Sequence, residues 1–108
     1  MDMRLVWYVV LLLASLFTTV VYAEKDMSCT DVGITASNMY LAYWKGEQIH
    51  HIVEDNLSGK SFRDKEIVHL IGGVLERLDP DIPKSELRAQ RNSLKNTLKR
   101  YCLNGEFD

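Results

Sequence analysis

The sequence predicts an all-α fold: a small bundle of three to four helices, stapled by one disulfide, after an N-terminal signal peptide. Three observations carry that reading. Apolar residues recur at helical spacing in four separate stretches, and no stretch alternates convincingly as a strand would. The first 23 residues have the plan of a secretory leader. One cysteine stands near each end of what remains, Cys29 and Cys102.

The leader is read as residues 1–23. Arg4 precedes an apolar run from Leu5 to Val21, and Val21-Tyr22-Ala23 supplies the small-residue end that a signal peptidase reads. The run has 17 residues, short of the about 20 that a membrane span needs. Retention as an anchor is the alternative. Either way the rest of the chain is delivered across a membrane, so a periplasmic or secreted location is expected.

Residues 24–108 then form a single domain of 85 residues, small for a self-sufficient apolar core. Two cysteines in an oxidising compartment allow one intramolecular pairing, Cys29 with Cys102. Free or intermolecular thiols are the alternative. The closed loop counts 74 residues, for which the chain-entropy model gives roughly 4.4 kcal/mol.

The helices follow in order. Thr30 or Asp31 is the expected N-cap of the first, which spans 32–45 and ends at Gly46. Its apolar face is Val32, Ala36, Met39, Tyr40 and Tyr43, and the small Gly33, Ala36 and Ser37 permit a close helix approach. A shorter helix is expected over 47–57, with Ile49, Ile52, Val53 and Leu57 inward. Ser61 opens the third helix, and Asp64 three residues on makes a capping-box pattern with Asp in place of Glu.

That third helix, running to about Leu78, is the most apolar stretch after the leader. It reads as the central element, covered on more than one side. Gly72 and Gly73 in its middle imply a close helix crossing or a kink. Pro80 and Pro83 force a turn, and the last helix runs from about Pro83 to Leu103 with Leu87, Leu94, Leu98 and Tyr101 as its apolar edge. A bridge from Cys29 to Cys102 fits antiparallel pairing of the first and last helices.

The charge is uneven. Residues 24–83 carry eleven acidic and six basic side chains, whereas residues 84–101 carry six basic and one acidic. Lys84, Arg88, Arg91, Lys95 and Lys99 step by four, three, four and four, so they form one basic stripe. The plain reading is a solvated face partly neutralised by the acidic first part. The functional reading is a surface for an acidic protein or an anionic membrane. Nucleic acid is not expected for an exported chain.

Other candidates are weaker. His50 and His51 stand four residues before Glu54 and Asp55, a spacing that can hold a metal, but His69 is the one further histidine. Their plain reading is a polar face with i,i+4 pairs. Asp79 and Asp81 lie in a proline-bounded turn without EF-hand spacing. A phosphate loop, a serine elbow and H-E-x-x-H are all absent from the sequence, and a thiol beside a second cysteine is not expected to stay free. No enzyme activity and no cofactor are expected. Tyr40, Tyr43 and Trp44 crowd one helix end, where an aromatic is more often core but one can anchor a partner.

The order Cys29, Ala36, Trp44-Lys45-Gly46 and Lys99-Arg100-Tyr101-Cys102 resembles a loose group of small, largely uncharacterised exported bacterial proteins. These share a signal peptide, a cysteine at the mature start, a helix ending in a basic residue and glycine, and a late cysteine. The resemblance implies an exported helical fold and little about function. In plan the chain also resembles periplasmic acid-stress chaperones, which are helical and single-bridged, and small inhibitor and immunity proteins share that economy. No site residue carries over.

The expectation is therefore a periplasmic protein-binding module of inhibitor or immunity type. Its partner is another envelope protein or an anionic surface, met through Tyr40, Tyr43 and Trp44 or through Arg88, Arg91, Lys95 and Lys99. Membrane contact comes only through the leader before cleavage. The alternatives are a stress chaperone that exposes the central apolar stripe and a metal-binding protein using His50 and His51.

Overall fold

A computed structural model describes residues 26–108. The leader, read at 1–23, lies outside the described residues. Four helices follow: α1 (Cys29–Trp44), α2 (Ile49–Asp55), α3 (Phe62–Glu76) and α4 (Lys84–Leu103). Among the described residues there is no strand, and no helix is long and apolar enough to cross a membrane.

α1 starts three residues earlier than its apolar pattern indicates. The N-cap is Ser28, whose Oγ accepts from the Asp31 N–H at 3.1 Å. Asp31 is instead a first-turn carboxylate, where it complements the helix dipole. The stop is as the sequence reads. Gly46 takes φ +101°, and the N–H groups of Gly46 and Glu47 donate to the carbonyls of Tyr43 and Ala42. That reverse turn satisfies orphan carbonyls at a backbone angle that favours glycine. α2 is shorter than expected at both ends, because Gln48 offers no side-chain cap and residues 56–59 turn.

Ser61 caps α3 as its sequence indicates, its Oγ accepting from the Asp64 N–H at 3.2 Å. The reciprocal arm goes elsewhere. Asp64, 1 % exposed, accepts from the Met27 backbone N–H at 2.9 Å and from Arg63 Nη1 at 3.2 Å. Arg63 Nε also donates to Asp108 at 3.1 Å. Both ends of the described chain are thus tied to the first turn of α3. The Cys29–Cys102 disulfide, with Cα atoms 5.3 Å apart, joins the start of α1 to the end of α4. A disulfide fits a chain working outside a reducing cytoplasm.

The central helix is α1, not α3. α1 packs on each of the other three helices, whereas no Cα of α3 lies within 8 Å of one in α4. Val32, Ala36, Met39 and Tyr40 of α1 are fully buried against Ile67, Val68, Ile71 and Leu75 of α3 and Leu94 and Leu98 of α4. α1 and α2 cover α3, but α4 does not close over it: Leu70 is 48 % exposed, and Val74 and, just past the helix end, Leu78 are half-buried. Its apolar run conceals this, because residues facing an open groove are as apolar as those facing the core.

Glycine sets two of the helix contacts. A Cβ on Gly33 would stand 2.6 Å from the Lys95 carbonyl oxygen, so only glycine lets α1 and α4 approach this closely. A Cβ on Gly72 would stand 2.6 Å from Val53 Cγ2, which marks the α2–α3 crossing; Gly73 faces open space.

Candidate functional site

The aromatic cluster at the end of α1 is mostly committed to the fold. Tyr40 is fully buried, and its hydroxyl donates to the Asp79 carbonyl at 2.8 Å. Trp44 Nε1 donates to the Ile82 carbonyl at 2.9 Å. These two bonds pin the 79–83 turn onto α1. Tyr40 therefore cannot anchor a partner, and the indole N–H of Trp44 is already used. Tyr43 is half-buried beside α2. Burial pushes the Tyr40 hydroxyl above its ordinary 10.0, and the nearby Asp79 carboxylate and Tyr43 push the same way.

The basic stripe has a different setting. Lys84 and Arg88 are exposed; Arg91, Lys95 and Lys99 are half-buried. Among the described residues the ion pairs are those of Arg63 with Asp64 and with Asp108, and none involves the stripe. Neutralisation by contact with the acidic first part does not occur there. Arg91 is separate from the others because it is bonded to α1. Its Nε donates to the Ser37 carbonyl at 3.3 Å and to Ser37 Oγ at 3.1 Å, and its Nη2 donates to Asn38 Oδ1 at 3.2 Å.

Two grooves flank α4. One lies between α1 and α4 and is lined by Ile34, Ser37, Asn38, Lys84, Leu87, Arg88, Arg91, Asn92 and Lys95. It is cationic along one wall and amide-rich. The other lies between α3 and α4, where Leu70, Val74 and Leu78 face Leu94, Leu98 and Tyr101, with Gln90, Ser93 and Thr97 as its polar groups. No charged side chain lines it. Tyr101 is 51 % exposed.

The chain matches no family model, no curated protein and no solved structure.

The histidines lie apart from both grooves beside α4. His50 and His51 are exposed on α2, ring centroids 4.2 Å apart, and His50 and His69 border a groove between α2 and α3 with Glu54 and Glu76. Among the described residues no three His, Cys, Asp or Glu side chains come close enough to hold a metal.

Sequence reasoning missed Ile34 and Asn38 as contributors to the α1–α4 cleft, and read Ser37 only as a small residue that permits a close approach. One signal was present. Ser37-Asn38 is a polar pair in the interior of a helix whose one charged residue is Asp31. Polar groups placed there need partners, and Arg91 supplies them. The α3–α4 groove had no such signal, since periodicity cannot distinguish an apolar wall from an apolar core.

Proposed function

We propose that the protein is an exported binding module that holds an acidic partner protein against α4. The observation that carries this reading is the unpaired stripe: Lys84, Arg88, Lys95 and Lys99 run along one helix with no carboxylate within ion-pair distance among the described residues. Cations gathered on one face raise the local potential and steer an acidic protein towards it. Of the other helices only α1 brings Cα atoms within 8 Å of α4, and Lys84 and Arg88 stay exposed beside it. The aromatic cluster is not part of the surface in this reading, because Tyr40 and Trp44 hold the 79–83 turn.

The test is a pull-down from envelope extract with the exported, oxidised protein. The control changes Lys84, Arg88 and Lys99 to Glu and leaves Arg91 alone, so the α1–α4 clamp persists. One acidic protein retained by the native chain and lost by the control supports the proposal. Equal retention by both contradicts it.

A second reading is favoured by the α3–α4 groove. A chaperone-like protein needs apolar surface for many clients, and Leu70, Val74, Leu78 and Tyr101 present it with the fold intact. Many weakly held clients, lost on Val74→Asp and unaffected by the charge control, would replace the first reading with this one.

A further inference from the structure

We infer that the α1–α4 cleft is a carboxylate-binding site, with Arg91 as its anchor and an elongated acidic segment of the partner protein as its ligand. This rests on the reading of α4 as the partner-binding face and adds where and how the contact is made.

A guanidinium carries five N–H donors in a fixed plane. In Arg91 the edge formed by Nε and Nη2 is turned to α1, where Ser37 and Asn38 accept its hydrogens. Nη1 has no hydrogen-bond partner among the described residues, and Nη2 keeps one hydrogen beyond its bond to Asn38. The end-on edge, Nη1 with Nη2, is therefore the free one. Two parallel N–H groups on one edge match the two oxygens of a carboxylate. Arg91 is half-buried and lines the cleft, partly shielded from water, where charge-assisted bonds strengthen. Its rotamer freedom is already lost to α1, so little ordering remains for the ligand to impose.

The neighbours extend the site. Lys84, Arg88 and Lys95 line the same cleft. Asn38 Oδ1 is occupied by Arg91, which leaves its NH2 as a donor towards an anion. Arg88 and Lys95 stand one helical turn from Arg91 on either side, about 4.5 and 6 Å along the axis. Same-side residues of an extended chain repeat every about 6.6 Å. Successive carboxylates on one side of an acidic segment can thus meet successive cations. A lipid surface fits less well. The cations border a cleft between two helices, and Ile34 is the one large apolar side chain exposed along it, too little to insert into a bilayer.

The test titrates acetyl-hexaglutamate-amide into the 15N-labelled, oxidised, exported protein, with vesicles containing phosphatidylglycerol as a parallel probe. The expected result is movement of the Ser37, Asn38, Arg91 and Asn92 signals. Arg91→Lys, which keeps the charge and loses the fork, should weaken the peptide about tenfold; Arg88→Lys should change it less than twofold. Asn38→Ala, on the exposed side of α1, removes the Arg91 acceptor and the cleft amide donor together. It should weaken the peptide about threefold at an unchanged melting temperature. Equal effects of Arg91→Lys and Arg88→Lys would overturn the anchor, leaving a diffuse basic face. Vesicle binding in place of peptide binding, or a peptide that moves no cleft signal, would overturn the site. A partner still captured through Lys84, Arg88 and Lys99 in the pull-down would then leave the broader reading standing without it.

Discussion

The Met27 backbone N–H donates to the buried Asp64 carboxylate at 2.9 Å, fastening the start of the described chain to the first turn of α3. Asp64 also takes Arg63 Nη1, so one side chain holds a chain end and a cation together. Asp64→Ala leaves the Met27 amide without its acceptor. A hydrogen bond to a charged group is worth about 1.5–3 kcal/mol, so urea unfolding should show a loss of about 2 kcal/mol. Asp31→Ala, exposed in the first turn of α1, should cost about 0.5 kcal/mol. Equal losses would mean that the tie carries no special weight.

The disulfide links helices that already lie together, so its effect should fall mainly on the unfolded chain. Reduction, or the pair Cys29→Ser with Cys102→Ser, should lower stability by about 2–4 kcal/mol. For a domain this small that is a fall in Tm of about 10–25 °C. Calorimetry on oxidised and reduced protein measures it, and an unchanged Tm would sink the idea.

Three glycines should respond differently to the same methyl group. Gly33→Ala drives a carbon against the Lys95 carbonyl, which belongs to backbone and cannot step aside, and should cost about 2–3 kcal/mol. Gly72→Ala meets a Val53 methyl that can give way in part, so a smaller loss is expected. Gly73→Ala meets nothing and should stabilise α3 by about 0.5–1 kcal/mol. Urea midpoints for the three variants check the order, and a destabilising Gly73→Ala would contradict the packing described.

Tyr40 gives the fold an alkaline limit. Its folded-state pKa lies above 10.0, chiefly through burial, so the unfolded chain loses this proton first. Its contribution is full below about pH 10 and is lost as pH rises through the folded value. Tyr40→Phe should cost about 1 kcal/mol at neutral pH, from the bond to Asp79, and should flatten the fall above pH 10. Melting curves from pH 7 to 11 on both proteins decide it; parallel slopes would mean that other groups set the limit.

Much of this architecture was legible in the chain. Four helices, the Ser61 cap, the Gly46 stop and the Cys29–Cys102 bridge follow from local rules, because caps, turns and a single possible pairing need no tertiary information. The hub was not legible. The apolar run of α3 draws attention, yet half of it lines a groove, and α1 is central because of something less visible: Asp31 is the one charge in sixteen residues. The fold partners of the aromatic cluster were hidden for a related reason. Tyr40 and Trp44 crowd a helix end because two carbonyls of the 79–83 turn need donors, and that turn is distant in sequence. The stripe was visible as spacing, but Arg91's separate role depends on Ser37 and Asn38, more than fifty residues earlier.

The most direct measurement is site-specific photo-cross-linking in living cells, with p-benzoylphenylalanine in place of Asn92, Thr97 or Asp55 in turn. Asn92 lies in the α1–α4 cleft, Thr97 in the α3–α4 groove, and Asp55 on α2, away from both. The expected result is one discrete, acidic adduct from Asn92 and none from Asp55. Adducts from Thr97 alone, spread over many sizes, or none from Asn92 would contradict the assignment of the partner to the basic face of α4.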